Sequence, residues 1–290
     1  MASAGISSVT IRTRFAPSPT GKLHLGHAYA AFVAHDLARK HSGQFLLRHE
    51  DIDTTRVREE FYGGIESDLH WLDLSWDEPP LRQSDRLDAY ASALEKLRNL
   101  GTVYPCFCTR REILAGTQSI LSAPHGPDGP LYPGTCRTLT ADERDAKIAA
   151  GVPHCWRLDA AAASEFAPHL KFTDLRLGEH PVNPQRLGDV VLARKDIGTA
   201  YHLAVVVDDA FQKITHVTRG EDLFESTHVH RLLQALLGFP EPVYLHHPLI
   251  LDENGVRLAK RNESMAVEHF RENGTSPESL FSQFPDPISG

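Results

Sequence analysis

RFAPSPTGKLHLGH, residues 14–27, is the stretch from which the rest of the chain can be read. Ahead of it, residues 9–16 (VTIRTRFA) alternate apolar and polar side chains, the period of a β-strand. Pro17-Ser18-Pro19-Thr20-Gly21 breaks that strand. Leu25–Lys40 then runs at helical spacing, with Leu25, Ala28, Phe32 and Leu37 on one side and Gly43 just past the end. A strand that turns into a helix through glycines lets backbone approach a ligand closely. His24, Gly26 and His27 fall at the helix start, where free N–H groups and the helix dipole favour anions. Two imidazoles there can donate to phosphate oxygens. A plain Pro/Gly turn before an ordinary helix is the alternative for the short H-x-G-H element taken alone.

Strand–helix alternation continues outward. Residues 44–48 predict a short strand, and residues 56–72 and 84–100 two helices, the second with Ser84 as N-cap. Residues 106–184 are broken by Gly/Pro clusters at 124–130 and 180–184 and predict an inserted, loop-rich domain. Regularity returns with a strand at 189–194, a helix at 200–209, a strand at 214–218, a helix at 223–237 closed by Gly238, and a strand at 243–251. The expected division is a catalytic first half (1–102), the insertion (103–188), a catalytic second half (189–262) and a short tail (263–290). There is no internal repeat. The fold class is α/β, a parallel sheet with helices on both faces and its ligand at the carboxyl ends of the strands.

The chain has 290 residues, 41% hydrophobic and 23% charged, which is ordinary globular composition. Thirty Lys+Arg against thirty-eight Asp+Glu excludes a globally basic nucleic-acid binder. A local patch at Arg110, Arg111 and Arg137 stays open. No stretch approaches the ~18 apolar residues of a membrane span, and residues 1–9 carry no secretory core segment. With four cysteines, a reduced cytoplasmic setting is expected, and so is a monomer. Cys106, Cys108 and Cys136 sit close in sequence and suggest one structural Zn²⁺ before a disulfide, with Cys155 or His125 able to compete for the fourth place.

Five segments in order resemble the class I glutamyl-tRNA synthetases. They are residues 14–27, with His24-Leu-Gly-His27 in the place of the HIGH element; LRHEDID at 47–53; YHLA at 201–204 running into Val207-Asp208-Asp209; HVTRGED at 216–222; and Arg257-Leu-Ala-Lys260-Arg261 in the place of the KMSKS loop. Only residues 262–290 follow that loop, where ordinary members carry a large anticodon-binding domain, so no such domain is expected. This shortness, with Cys-x-Cys followed by Tyr132-x3-Cys136, resembles the glutamyl-queuosine tRNA(Asp) synthetases. That resemblance implies a Rossmann-like catalytic sheet interrupted by a zinc-bearing insertion. It also implies ATP, L-glutamate and queuosine-containing tRNA(Asp) as partners, and Mg²⁺ with the ATP. It assigns Arg14, Ser18, Glu50, Tyr201 and Arg219 to glutamate, and His24, Gly26, His27 and Lys260 to ATP. His24, His27 and Lys260 are the catalytic set. Cys106, Cys108, Tyr132 and Cys136 hold the zinc, Tyr132 on the resemblance alone.

The chemistry agrees with those assignments. A planar guanidinium grips a carboxylate at two points, and a carboxylate such as Glu50 suits an ammonium. The bland alternatives are a surface ion pair between Arg219 and Glu221 or Asp222, and a solvated acidic run for Glu50, Asp51 and Asp53. Two departures from the family pattern stand out. Ala259 replaces the usual loop serine, which predicts slower activation, and His49 replaces an aliphatic residue beside Glu50. The competing readings are a truncated glutamyl-tRNA synthetase charging tRNA(Glu), a non-catalytic RNA-binding paralogue and a generic nucleotidylyltransferase.

Overall fold

The computed structural model describes residues 10–118, 125–126, 129–250 and 266–288. Its frame is a parallel sheet in two sets. Arg12–Phe15, Gln44–His49 and Leu81–Arg82 pair in that order, all parallel. In the second set His216–Gly220, Val243–His247 and Lys171–Asp174 pair in parallel, and Gly178–Pro181 closes the edge antiparallel. The sets meet where Thr215 N–H donates to the Arg12 carbonyl at 3.0 Å and Arg12 N–H donates to Thr215 Oγ1 at 2.8 Å. Strand order reverses at Arg12–Phe15, and a crevice outside the carboxyl ends at such a reversal is where open α/β sheets bind ligands.

The helix Leu25–Lys40 buries Leu25, Ala28, Tyr29, Ala31, Val33, Ala34 and Ala38. Its many alanines let the axis lie close on the sheet. Past its end a Cβ on Gly43 would stand 2.3 Å from the Ile11 carbonyl oxygen, so only glycine lets the chain re-enter the sheet there. Helix Ser226–Leu237 stops at Gly238, whose φ of 71° is the left-handed value that ends helices.

Several expectations are corrected. Ser84 lies in a 3-10 turn, Gln83–Arg86, and the helix proper is Leu87–Asn99. Instead of capping, Ser84 gives its N–H and hydroxyl to Asp51. The strand expected at 189–194 is Val191–Ala193, and it pairs antiparallel with Cys155–Leu158, which pairs antiparallel with Val103–Cys106. Conversely Lys171–Asp174, inside the expected insertion, belongs to the main sheet. Sheet pairing thus crosses the 188/189 division in both directions. The segment is also more regular than its Gly/Pro content suggests, with helices Arg110–Gln118, Ala141–Ala149 and Ala160–Phe166. Its strands are four residues or fewer and carry no readable period. The strand expected to reach 251 ends at His247. Residues 266–288 form helices Val267–Glu272 and Pro277–Phe281, which return to the first helix; the Phe281 ring lies 4.5 Å from that of Phe32. Among the described residues no helix is long and apolar enough to cross a membrane.

Candidate active site

A cavity of about 480 Å³ opens at the reversal point. Its walls come from the carboxyl ends of four strands: Arg14 to Ser18, then Glu50, then Thr218 to Gly220, then His247 to Ile250. His24, Gly26 and His27 enter from the helix start, and Tyr201 from helix Tyr201–Phe211. Every residue expected to bind glutamate lines it, as do the three described residues expected to bind ATP. Lys260, with Arg257 and Ala259, lies outside the described residues.

The imidazoles of His24 and His27 stack with centroids 3.7 Å apart. His24 N–H donates to His27 Nδ1 at 3.3 Å, which leaves the neutral ring of His27 with its proton on Nε2, a donor for an incoming phosphate oxygen. Gly26 makes this possible: a Cβ there would stand 3.2 Å from His24 Cε1. The first helix therefore presents its N-terminus and two imidazoles on one wall.

Glu50 and Arg48 point to one side of their strand, His49 and Asp51 to the other, as a period of two requires. Arg48 donates to Glu50 Oε1 at 3.3 Å and to Asp209 Oδ1 at 2.8 Å. Burial raises the Glu50 pKa, an effect that Arg48 and Arg14 only partly offset. Glu50 and Asp51 are therefore no solvated patch, whereas Asp53 bonds Thr55 and Arg56 at the surface. Asp51 is 1% exposed and bonds Tyr62 and Ser84. His49 is also buried, 3.4 Å from Glu66 Oε1, on the face away from Glu50.

Arg14 donates to both Asp209 oxygens, at 3.0 and 3.4 Å, and to the Thr218 carbonyl at 3.1 Å. Arg219 is 6% exposed and turns inward to His246, His230 and Thr227, at 3.1, 3.0 and 2.6 Å. The surface ion pair with Glu221 does not form, because Glu221 binds Arg176 at 2.6 Å instead. The Arg219 partners, and Asp209 as a shared anion, are the contributions that sequence reading missed. Asp209 did stand in a quoted segment, but nothing in the spacing pairs it with Arg14.

A second cleft of about 1150 Å³ shares Ser18, Glu50 and Tyr201 with the first. It runs to Cys108 and Tyr132 and is edged by Arg56, Arg110, Arg157, Arg194 and Lys195, of which Arg56 and Arg194 are ion-paired with Asp53 and Asp196 on the same edge. Of the expected basic patch, Arg110 lines this cleft, whereas Arg137 is paired with Asp189 at 3.1 Å.

The sulfur atoms of Cys106, Cys108 and Cys136 all lie within 4.8 Å of one another. The Tyr132 hydroxyl stands 3.3 Å from Cys106 Sγ and 3.6 Å from Cys108 Sγ, and Cys108 and Cys136 sulfurs are 3.5 Å apart. Zn–S bonds of ~2.3 Å in a tetrahedron place sulfurs about 3.8 Å apart, so this donor set fits one zinc. Cys155 pairs in register with Cys106 across the antiparallel sheet but is not among the three clustered sulfurs. The side chain of His125 lies outside the described residues.

Comparison with known proteins adds the following. Residues 10–285 match the family described as tRNA synthetases class I (E and Q), catalytic domain. The glutamyl-Q tRNA(Asp) synthetase of Rhodobacter capsulatus is 49% identical over 280 residues, covering 92% of this chain and 97% of that protein. The protein of the same name from Symbiobacterium thermophilum is 45% identical over 277 residues, 92% of this chain and 83% of that one. Among solved structures, a glutamate tRNA ligase from Elizabethkingia meningosepticum, in complex with its amino acid, superposes with a TM-score of 0.74 at 31% identity. The match covers 87% of this chain and 52% of that one, so the chain spans about half the length of that ligase.

Proposed function

We propose a glutamate-activating, tRNA-modifying role from one premise: the chain belongs to the class I tRNA synthetases of the glutamate and glutamine type, a ligase family. The observation that carries the choice of amino acid is Arg219, a buried cation on the cavity wall whose described partners are all neutral. It is suited to a carboxylate from outside. Glu50, with Tyr201 and Ser18 beside it, receives the ammonium, and Arg14 adds a second cationic contact. Activation joins the glutamate α-carboxylate to the α-phosphorus of ATP and expels pyrophosphate. Negative charge spreads over phosphate oxygens, so fixed donors carry most of the catalysis. His27 Nε2–H, His24 and the helix N-terminus serve the α-phosphate, and Lys260 serves the leaving pyrophosphate. Mg²⁺ bound with the nucleotide supplies further charge neutralisation.

The acceptor is proposed from the relatives that carry the glutamyl-Q tRNA(Asp) name, the two described above being matched over 97% and 83% of their length. In this reading the second cleft admits the RNA. Arg110 and Lys195 on its edge suit phosphates, and a hydroxyl of RNA bound there would approach the adenylate along the wall that the cleft shares with the glutamate pocket. The nucleophile is the cyclopentenediol of queuosine at the wobble position of tRNA(Asp). A hydroxyl oxygen attacks the glutamyl carbonyl, an ester forms, AMP leaves and the hydroxyl proton is lost. The test is transfer of labelled glutamate to tRNA(Asp) with and without queuosine, followed by fragment analysis. Label on the anticodon fragment, only when queuosine is present, is the expected result. Label on the terminal adenosine would replace this reading by ordinary 3′-end charging; a relative 40% identical to this chain, from Syntrophus aciditrophicus, is named a glutamate–tRNA ligase.

Cys106, Cys108, Tyr132 and Cys136 are assigned to one structural zinc, closed by four protein ligands and stapling the inserted segment. Elemental analysis should give about one zinc per chain, falling in Cys108→Ser and unchanged in Cys155→Ser. Full occupancy in Cys108→Ser would reject the assignment.

A further inference from the structure

Arginine has five N–H donors and no acceptor. Arg219 spends three of them, on His246 Nε2, His230 Nδ1 and Thr227 Oγ1. Two remain for a ligand. No described carboxylate lies within ion-pair range of its guanidinium, although the residue is buried.

Because arginine only donates, each ring nitrogen it meets must be bare. His246 therefore carries its proton on Nδ1, and gives it to Asp174 Oδ2 at 2.6 Å. Asp174 is itself fixed by the N–H groups of Arg176, Leu177 and His246. His230 carries its proton on Nε2, and gives it to His202 Nδ1 at 3.0 Å. The His202 proton then sits on Nε2; this residue lines the second cleft. One tautomer assignment thus runs through five side chains from Asp174 to His202. Burial holds all three imidazoles neutral, with Arg219 adding to the effect: the pKa values of His246 and His202 are pushed down to about 4, and that of His230 well below its ordinary value. At His246 Asp174 opposes the shift without reversing it.

We propose that His246 and His230 are positioning residues that fix the Arg219 guanidinium by accepting its hydrogen bonds while supplying no negative charge, so that its full charge is kept for the carboxylate of the substrate. A carboxylate in either position would hold the guanidinium just as firmly but would neutralise it from inside, and glutamate would then compete with a built-in anion. This rests on the reading that Arg219 grips glutamate.

Glutamine and glutamate at position 230 make a matched pair. Both can accept a hydrogen bond from Arg219 and both have the same size, but only glutamate brings a charge, with His202 switching tautomer to donate to it where glutamine would donate to His202. His230→Gln and His230→Glu are compared in the full chain by glutamate-dependent ATP–pyrophosphate exchange, with KM for glutamate, KM for ATP and kcat measured separately. The glutamate KM of His230→Glu should exceed that of His230→Gln by about tenfold to a hundredfold, the range of a charge-assisted hydrogen bond. The two should share one ATP KM. A purely structural role predicts no such split, and equal glutamate KM values would overturn the proposal. If His230→Glu does not unfold cooperatively, Thr227→Asn against Thr227→Asp poses the same question at a second partner, with the same split expected. Arg219→Gln separates the two levels. If it leaves the glutamate KM unchanged, the pocket reading itself fails. If it raises that KM while the matched pairs do not split, only the histidine proposal falls.

Discussion

Arg14 and Arg219 both line the cavity and are equally buried, at 5% and 6% exposure, yet one has an anion for a partner and the other only neutral groups. Arg14 shares Asp209 with Arg48, and Arg48 also reaches Glu50, so two cations and two anions balance within one cluster. Burial would raise the pKa of Asp209, but the two guanidiniums outweigh it and the net shift is downward. Burial alone would lower that of Arg48; Asp209 and Glu50 reverse this and raise it. Arg219 has neutral partners only. A buried arginine is therefore not one kind of evidence. Compensated, it ties the first sheet set to the helix Tyr201–Phe211, since Arg14 and Arg48 reach Asp209 across 195 and 161 residues of sequence. Arg219, with no anion in direct contact, is the one proposed to take its main charge partner from a ligand.

The largest test of this contrast is Asp209→Ala. It leaves two buried cations without their shared anion and should cost about 3–5 kcal/mol of stability, read by urea unfolding. Arg219→Gln should cost clearly less, because it removes a charge that no anion contacts directly. A loss of equal size from both would erase the distinction.

A further test comes from pH. His202, His230 and His246 have folded pKa values below the unfolded value of ~6.5, so the unfolded chain binds protons first as pH falls. The stability gained by keeping them neutral is complete above pH ~6.5 and is lost on the way down to about 4. Asp209, whose pKa is depressed, keeps its contribution until pH drops below its unfolded value of ~3.9. Between pH 6.5 and 4.5 His202 and His246 should therefore each contribute a loss on the order of 2–3 kcal/mol. His228 titrates in the same window, also lowered to about 4 by burial. The discriminating quantity is the difference between native protein and His230→Gln, which should lose less. A loss confined to pH below 4 would place the sensitivity in the carboxylates instead.

The turn at residues 14–27 was legible because its chemistry is local: a strand, a Pro/Gly break and a histidine-capped helix within one stretch. Arg14, Glu50 and Arg219 were legible as members of ordered segments, but not their environments. Arg219 read equally well as a surface ion pair, since its real partners lie 8 to 27 residues further on, in a helix and a strand of another segment. Ser84 read as a cap because cap chemistry is local, whereas its actual partner Asp51 is 33 residues away. The insertion was read as loop for a related reason. Its strands are too short to show a period, and the pairing that makes them strands joins residues such as Tyr104 and Arg157.

The strand Lys171–Asp174 has a consequence for how the protein comes into being. It is emitted before both strands that it lies beyond in the sheet, and although Gly178–Pro181 can pair with it at once, it waits for Val243–His247 before it can join the parallel sheet. Asp174 meets His246 across 72 residues, and only then is the arginine behind it oriented. Contacts of such long range are slow to form, because loop closure is paid before they repay it. A refolding chain would have most of its helices while its substrate pocket was still unset. Ligand binding would then serve as a late clock of folding, lagging the recovery of secondary structure and reporting that the last parallel pairing is in place.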